Sequence, residues 1–274
     1  MRTTLLYAVL LGAACGPGGT VAPPSGWTVS WSDEFDGAAG ALDGSKWVPD
    51  LGTGPNADGW GNQQLEFDTD STANAALDGQ GHLVLTALKQ SQGGRSYTSA
   101  RLVTYGTFDQ QYGRVEARMK VPAGQGLWPA FWMLGADILQ AGHEWPTCGE
   151  IDVVEVRGQE PAIAVGSLHG PGYSGGAALS DRHVLLGAKL SDDFHVFAVE
   201  WDPSRISFFV DDQRYRTFTA EAVQTSGKRW VFDHPFFLIL NLAVGGNFVG
   251  APNAQTVFPA ALVVDWVRVS RRAQ

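Results

Sequence analysis

Residues 149–155 read Gly-Glu-Ile-Asp-Val-Val-Glu, a run of apolar β-formers interrupted by the three carboxylates Glu150, Asp152 and Glu155. Valine and isoleucine in such a run are typical of a buried strand. A carboxylate removed from water is costly unless it is paired, hydrogen-bonded or protonated. The stretch therefore indicates either a metal site or a group of acids that transfers protons.

The spacing of the three acids predicts an irregular strand. Alternate residues of a regular strand point to the same face, so Glu150 and Asp152 share one face while Glu155 points to the other. A β-bulge at Val153-Val154 would return Glu155 to the first face, and bulges are frequent beside active sites. We therefore predict a bulge and three acids in a row on one surface.

Composition and turn signals predict an all-β fold. The 274 residues include 34 glycines and 14 prolines together with 10 tryptophans and 14 phenylalanines, which suits many short strands joined by tight turns. Apolar or alternating segments recur between residues 82 and 269, and Asp202-Pro203-Ser204-Arg205 has the composition of a hairpin connection. We predict a two-sheet β-sandwich formed by a single domain, residues 27–274.

The charge of the chain limits its partners. The formal net charge is −9 and the isoelectric point is near 5.0. Lysines and arginines do not cluster, whereas a surface that binds phosphate groups requires such clusters. The charge therefore argues against nucleic acid or anionic membrane as the main partner, and a neutral polymer such as a polysaccharide is favoured.

The N-terminus indicates export. Residues 1–15 contain a short apolar run, 5–11, followed by small residues, as in a secretory signal peptide. The run is too short for a transmembrane helix, which needs about 20 apolar residues. Leu11-Gly-Ala-Ala-Cys15 resembles a bacterial lipoprotein processing site, although Gly12 replaces the usual aliphatic residue. We expect a secreted protein or an outer-surface lipoprotein of a bacterium, with lipid on Cys15 in the second case and a flexible linker at 16–26.

The second cysteine, Cys148, lies two residues before Glu150. A nucleophilic thiol would need a nearby histidine and an orienting partner, and the sequence shows no such set. We therefore expect Cys148 to be a small buried residue packed behind the strand.

Residues 150–155 resemble the active-site signature of glycoside hydrolase family 16, in the bulged Glu-x-Asp-x-x-Glu form of bacterial endo-β-1,3-glucanases (laminarinases). Other segments resemble family segments in the family's order. They are Trp31-Ser-Asp-Glu-Phe-Asp36, Gly61-Asn-Gln-Gln-Leu-Glu66, Thr98-Ser-Ala-Arg101, Leu127-Trp-Pro-Ala-Phe-Trp-Met-Leu-Gly135, His169-Gly-Pro-Gly-Tyr-Ser-Gly175 and Asn241-Leu-Ala-Val-Gly-Gly246.

This resemblance implies a curved, concanavalin A-like jelly roll whose concave face forms an open substrate cleft. It also implies a retaining mechanism without a cofactor, in which Glu150 is the nucleophile and Glu155 the acid and base. Such pairs of carboxyls lie roughly 5–5.5 Å apart, so the two side chains must lean toward each other over Asp152. Asp152 would keep one neighbour ionised and another protonated, since close like charges separate pKa values.

The resemblance further implies residues that bind sugar and a structural calcium ion. The sugar-binding set is Asn62, Arg101, Trp128, Trp132, Trp145 and His169. Trp128 and Trp145 are expected to face the cleft, and Trp201 and Trp266 are expected in the core. For Trp132 the sequence does not distinguish between the two positions. Gln64 departs from the family, which commonly has an acid there. The calcium ligands would be Glu34, the Gly79 carbonyl and Asp265, a donor set of oxygens that suits calcium.

The sequence thus favours a monomeric, retaining endo-β-1,3-glucanase that hydrolyses laminarin-like or mixed-linkage β-glucan. Action on another polysaccharide, such as a galactan, and transglycosylation remain open within the family. Outside it, the alternatives are a non-catalytic β-glucan-binding protein and a metal-binding adhesin. The first should lack the acids, and the second does not explain the tryptophans around them.

Overall fold

The computed structural model describes residues 24–273. The predicted signal peptide, Cys15 and most of the linker lie outside the described residues. Seventeen strands, one short α-helix and two single helical turns, Gly59–Gln63 and Gly175–Ala177, make up the regular structure of the described residues. In chain order the strands and the α-helix are β1 (Trp27–Asp33), β2 (Val48–Asp50), β3 (Glu66–Asp68), β4 (Ala75–Leu77), β5 (Leu83–Ala87), β6 (Tyr97–Ser99), β7 (Arg101–Val103), β8 (Gly113–Lys120), β9 (Leu127–Gly135), β10 (Glu150–Glu155), β11 (Ile163–His169), β12 (Leu179–Val184), β13 (His195–Asp202), β14 (Arg205–Val210), β15 (Gln213–Thr219), α1 (Ala220–Thr225), β16 (Phe236–Val244) and β17 (Ala260–Arg272).

Two large antiparallel sheets form the sandwich. The first has the strand order β15-β14-β13-β8-β17-β5-β4, and β1 pairs with β17 as its eighth strand. The second has seven strands in the order β12-β11-β10-β9-β16-β7-β2. A small parallel pair, β3 and β6, stands apart from both. The predicted all-β, two-sheet architecture is therefore confirmed.

The core lies between the two sheets, and the alternation along β16 shows how the sequence builds it. Phe236, Leu238 and Leu240 point into the main core, whereas Ile239 and Asn241 point to the opposite face. Each large apolar side chain buried in this way contributes about 1.5–3 kcal/mol to folding. We call the face of the seven-stranded sheet that turns away from the core the open face.

Two predicted core tryptophans are buried where expected. Trp201 is 2% exposed and Trp266 is 5% exposed. The Trp201 indole N–H donates to the Phe232 carbonyl at 3.0 Å, so its one polar atom is satisfied inside the core.

The predicted bulge is present in β10. Asp152 lies opposite Trp132 of β9, but Val154 lies opposite the very next residue, Phe131, so β10 carries one extra residue there. Val153 and Val154 are consecutive, and both are buried in the main core. Because two successive side chains take the core side, Glu155 returns to the open face together with Asp152.

Candidate active site

The register of β10 with its neighbours places the three acids on the open face. Glu150 pairs with His169 of β11, and Asp152 pairs with Trp132 of β9. Glu155 pairs with Ala130, which in turn pairs with Asn241 of β16. Directly paired residues share a face, so these side chains converge on one surface.

Glu150 has two partners on this surface. The Trp145 indole N–H donates to Oε2 of Glu150 at 2.7 Å, and Nε2 of His169 lies 3.6 Å from its Oε1. Trp145 is 45% exposed, so its ring faces solvent beside the carboxylate. This agrees with the prediction that Trp145 faces the cleft.

The hydrogen bonding of His169 distinguishes between metal binding and proton transfer. Glu150, Asp152 and His169 place ligand atoms within 4.8 Å of one another, as a metal site would require. However, the Gly175 N–H donates to Nδ1 of His169 at 3.1 Å. In the neutral ring the proton is then on Nε2, which lies 2.9 Å from Oδ2 of Asp152. A protonated Nε2 has no lone pair for a metal, so the arrangement favours proton chemistry.

Glu155 is held by a tryptophan of its own. The Trp128 indole N–H donates to Oε1 of Glu155 at 3.1 Å. Trp128 is only 8% exposed, because it packs with Ala243, Phe248 and Val249. Trp128 thus presents its N–H to Glu155 on the open face, but its ring is largely covered and does not face solvent as Trp145 does. Its predicted role in stacking on sugar stays a prediction.

Burial and mutual repulsion raise the pKa of all three acids. Burial, together with the neighbouring charge of Asp152, raises the pKa of Glu150 to about 8. Burial and the charge of Glu150 raise the pKa of Glu155 to about 7. Burial and the charge of Glu155 also raise the pKa of Asp152. Interacting acids lose their protons in steps that belong to the group, so at neutral pH the group combines carboxylate and carboxylic acid.

We expect kcat/KM to follow a bell-shaped pH profile centred near neutral pH, because the nucleophile must be ionised while the acid keeps its proton. Because the pKa of Glu150, about 8, lies above that of Glu155, about 7, the form with Glu150 ionised and Glu155 protonated is the minor singly protonated form. In Asp152→Asn the loss of the Asp152 charge should lower the pKa of Glu150, enrich this form and raise kcat/KM along the acidic limb. Initial rates of glucan hydrolysis between about pH 4 and about pH 10 measure this. An unchanged kcat/KM along the acidic limb would show that Asp152 does not set the protonation of Glu150.

A second group of side chains lies on β7, β9 and β16. The Arg101 guanidinium packs against two indoles, 4.3 Å from the ring centre of Trp60 and 4.7 Å from that of Trp132. Nε of Arg101 donates to Asp50 at 2.9 Å. The Trp132 N–H donates to Oδ1 of Asn241 at 2.7 Å. The structure therefore joins the predicted residues Arg101 and Trp132, and half-buried Trp132 belongs to the open face.

Asn62 lies in an exposed turn next to this group. A helical turn at Gly59–Gln63 carries it, and its carbonyl accepts the Asn247 N–H at 2.8 Å. Gly246 packs between this turn and the ring of Trp128. A Cβ on Gly246 would lie 2.9 Å from the Asn62 oxygen and 3.4 Å from Cζ3 of Trp128. Glycine at 246 thus allows the Asn62 turn to close against the tryptophan that holds Glu155.

Sequence reasoning missed Trp60, Asp50 and Asn241 as members of this group. Trp60 immediately precedes the Gly61-Asn62 segment, and Asn241 begins another segment that resembles the family. Their places beside or within these segments could have identified both residues as members of the site. Asp50 gives no signal, because only the pairing of β2 with β7 places it opposite Arg101.

Cys148 behaves as the sequence predicts. Its side chain is fully buried among Val103, Leu134, Phe237 and Ile239. Burial, with the nearby charge of Glu150, raises the pKa of the thiol to about 12. A thiol with this pKa is not a nucleophile at neutral pH.

The two predicted calcium-binding acids have arginine partners. Glu34 accepts two hydrogen bonds from Arg268, at 2.9 Å and 2.7 Å, and the charge of Arg268 helps to lower the pKa of Glu34 even though burial opposes it. Asp265 pairs with Arg118. Calcium prefers free carboxylate and carbonyl oxygens, so an ion here would have to share both acids with guanidinium groups. The calcium site at Glu34, Gly79 and Asp265 stays a prediction.

Comparison with known proteins agrees with this geometry. The family model for glycosyl hydrolases family 16 matches residues 61–268. A β-glucanase of Rhodothermus marinus is 39% identical over 274 aligned residues, which cover 98% of this chain and 94% of the relative. The laminarinase catalytic domain of Thermotoga maritima superposes with a TM-score of 0.85 at 43% identity, covering 90% of this chain and 99% of that domain.

A second solved structure shows the same likeness. An endo-β-1,3-glucanase of Pyrococcus furiosus superposes with a TM-score of 0.85 at 43% identity, covering 90% of this chain and 95% of that one. Fold and sequence thus agree over most of the described residues. The chain belongs to glycosyl hydrolases family 16.

Proposed function

We propose that the protein is a retaining endo-β-1,3-glucanase that hydrolyses laminarin-like or mixed-linkage β-glucan. The observation that carries the proposal is the pair Glu150 and Glu155 on one face of a single bulged strand. Each carboxyl has its own indole donor, Trp145 for Glu150 and Trp128 for Glu155. The names of the similar glucanases support β-1,3-glucan as the substrate.

In the first step a carboxylate oxygen of Glu150 attacks the anomeric carbon. The bond from that carbon to the glycosidic oxygen breaks, and Glu155 gives its proton to this oxygen. The leaving chain departs with a free hydroxyl group, and the other chain stays bound to Glu150 as an ester. The raised pKa of Glu155 supplies the proton near neutral pH.

In the second step Glu155, now a carboxylate, removes a proton from water. The resulting oxygen attacks the anomeric carbon, the ester bond breaks and Glu150 leaves as a carboxylate. Two inversions give net retention of configuration. Asp152 and His169 lie beside the nucleophile, where the Nε2 proton of His169 counters the negative charge that returns to Glu150.

All three acids are present and oriented, which favours catalysis over a binding-only role. Arg101 and Trp132 lie on the same open face, and exposed Asn62 lies in the adjoining turn. They suit a neutral sugar polymer, because Arg101 and Asn62 offer N–H donors beside an aromatic ring. We infer that the partner of this face is a β-glucan chain. Another polysaccharide or an acceptor sugar in place of water remains the alternative within the family.

Product analysis tests the proposal. The purified domain is incubated separately with laminarin, barley mixed-linkage glucan and agarose, and the products are separated by chromatography. Short β-1,3-linked oligosaccharides from laminarin are the expected result. NMR spectra recorded at the start of the reaction should show the β anomer at their new reducing ends. Products from agarose alone would favour a galactan as substrate. Binding to laminarin without cleavage would overturn the proposal in favour of a glucan-binding protein.

We further propose that the protein acts outside the cell as a monomer, either secreted or tethered through lipidated Cys15. The support is the signal-like sequence at 1–15, which lies outside the described residues. Among residues 24–273, no helix is long and apolar enough to cross a membrane. Mass spectrometry of the exported protein distinguishes a diacylated Cys15 from cleavage without lipid.

Removal of divalent ions tests the structural calcium. If calcium bridges Glu34, Asp265 and the Gly79 carbonyl, a chelator should lower the melting temperature by several degrees, and added calcium should restore it. Differential scanning calorimetry with and without chelator measures the effect. An unchanged melting temperature would show that the ion pairs with Arg268 and Arg118 hold this region without a metal.

A further inference from the structure

Asp68 is a buried acid that the proposed mechanism does not use. It lies at the end of β3 and is 2% exposed. Its Oδ2 accepts the indole N–H of Trp60 at 2.8 Å, and its backbone forms two hydrogen bonds with Gly52, at 2.8 Å and 2.9 Å. Asp68 therefore joins β3 to the turn that carries Trp60 and Asn62.

Trp60 has a backbone conformation that requires outside support. Its φ is +56°, and Gln63 in the same turn has a φ of +57°. Bulky residues rarely adopt such left-handed angles, and they persist only where the surroundings fix them. The bond from the Trp60 indole to Asp68 and the Asp58 side chain that accepts the Gly61 N–H provide fixed points for this turn.

The Arg101 guanidinium packs against two indoles, with its central carbon 4.3 Å from the ring centre of Trp60 and 4.7 Å from that of Trp132. Nε of Arg101 is bound to Asp50. Among residues 24–273, the Arg101 side chain forms no other hydrogen bond, so its terminal N–H groups remain for a ligand. A guanidinium packed against two rings keeps its plane and its donor directions.

The buried carboxyl of Asp68 is expected to reduce the stability of the folded protein. Burial raises the pKa of Asp68 to about 7, although the Trp60 hydrogen bond and the charge of Arg101 both lower it. The other charged groups that face it are Glu66 and Asp50, both acids. A buried acid beside a sugar-facing arginine is better explained by a role in the cleft than by stability.

We propose that Asp68 is a positioning residue for glucan binding, which holds Trp60 so that Trp60 and Trp132 fix the guanidinium of Arg101 toward the hydroxyl groups of the substrate. This inference rests on the proposed function. Arg101 is three strands from Glu155, about 14 Å at 4.8 Å per strand. The guanidinium reaches back to Trp132 of β9, the strand next to β10, so the contact involves a sugar beyond the one that Glu150 attacks. It contributes only when the substrate has more than one sugar.

Asp68→Ala and Trp60→Phe both remove the hydrogen bond, and Trp60→Phe keeps an aromatic ring over Arg101. For a β-1,3-linked hexasaccharide we expect both variants to raise KM by about threefold to tenfold, the range for one lost hydrogen bond, with kcat within about twofold. For an aryl glucoside with a single sugar, kcat/KM should stay at the wild-type value. Asp68→Asn retains an acceptor oxygen and should restore most of the hexasaccharide affinity.

Glu66→Gln is the matched control. Glu66 is a buried acid of the same strand, but its carboxylate accepts the Val244 N–H at 2.8 Å rather than a bond from Trp60. This variant should not change the dependence of KM on chain length. Melting temperatures identify variants that lose stability, and folding should survive Asp68→Asn because a neutral amide is cheaper to bury than a charge.

The outcomes separate the two proposals. If the wild type fails to cleave β-1,3-glucan, the proposed function is wrong, and calorimetric affinity for the hexasaccharide still tests the role of Asp68. Suppose instead that the wild type cleaves glucan. If Asp68→Ala then lowers kcat/KM by the same factor on the aryl glucoside and on the hexasaccharide, or changes neither value, the positioning role is overturned.

Discussion

Replacing Glu150 with glutamine is expected to reduce laminarin hydrolysis by about four orders of magnitude or more, because the amide cannot form the glycosyl ester. Glutamine has nearly the volume of glutamate, and its carbonyl can still accept the Trp145 N–H that Glu150 receives at 2.7 Å. The cleft should therefore keep its shape. Reducing-sugar release from laminarin measures the rate.

Binding provides the control for this variant. Glu150→Gln should retain the melting temperature of the wild type and should bind a β-1,3-linked hexasaccharide in calorimetry, because Arg101 and Trp132 on β7 and β9 are unchanged. Such a variant separates affinity from chemistry. Near-wild-type hydrolysis would contradict the assignment of Glu150 as the nucleophile.

Replacing Glu155 with glutamine should lower hydrolysis of laminarin by about 10²–10⁴-fold, the usual contribution of general acid–base catalysis. The reason is that the leaving sugar oxygen no longer receives a proton. An aryl glycoside with a dinitrophenolate leaving group needs no such proton, so its first step should continue. Stopped-flow absorbance should show a burst of dinitrophenolate followed by slow turnover, and mass spectrometry should find the sugar ester on Glu150.

The two substrates make this test specific. Equal losses on laminarin and on the aryl glycoside would show that Glu155 is not the acid. Glu221→Gln serves as a control, since Glu221 lies on α1, which packs against β15 of the other sheet. It should leave both rates unchanged. If Glu155→Gln shows no burst while Glu221→Gln keeps it, Glu155 has a role in forming the ester other than proton donation.

Much of the acid strand could be predicted because its signals are local. Three acids among β-branched residues fit a buried strand only if the strand bulges, and the structure has Val153 and Val154 both on the core side. The environment of Cys148 was also predictable, since a small apolar residue without a histidine partner belongs in the core. In each case a few neighbouring residues carry the whole argument.

The roles of the tryptophans were less predictable. Trp128 and Trp145 were both expected to face the cleft, yet one is 8% and the other 45% exposed. The difference arises from Phe248 and Val249, which cover Trp128 from a loop more than 100 residues later in the chain. Sequence shows that an aromatic residue is near the acids but not which distant side chain covers it.

The all-β class, the acid strand and its bulge follow from local sequence, because strand periodicity and the cost of burying carboxylates act over a few residues. Tertiary packing sets the tautomer of His169, through the Gly175 N–H, and the contacts of Arg101 with the rings of Trp60 and Trp132. These contacts join separate strands and turns. Their geometry depends on how the sheets and loops pack, and no local pattern of residues encodes it.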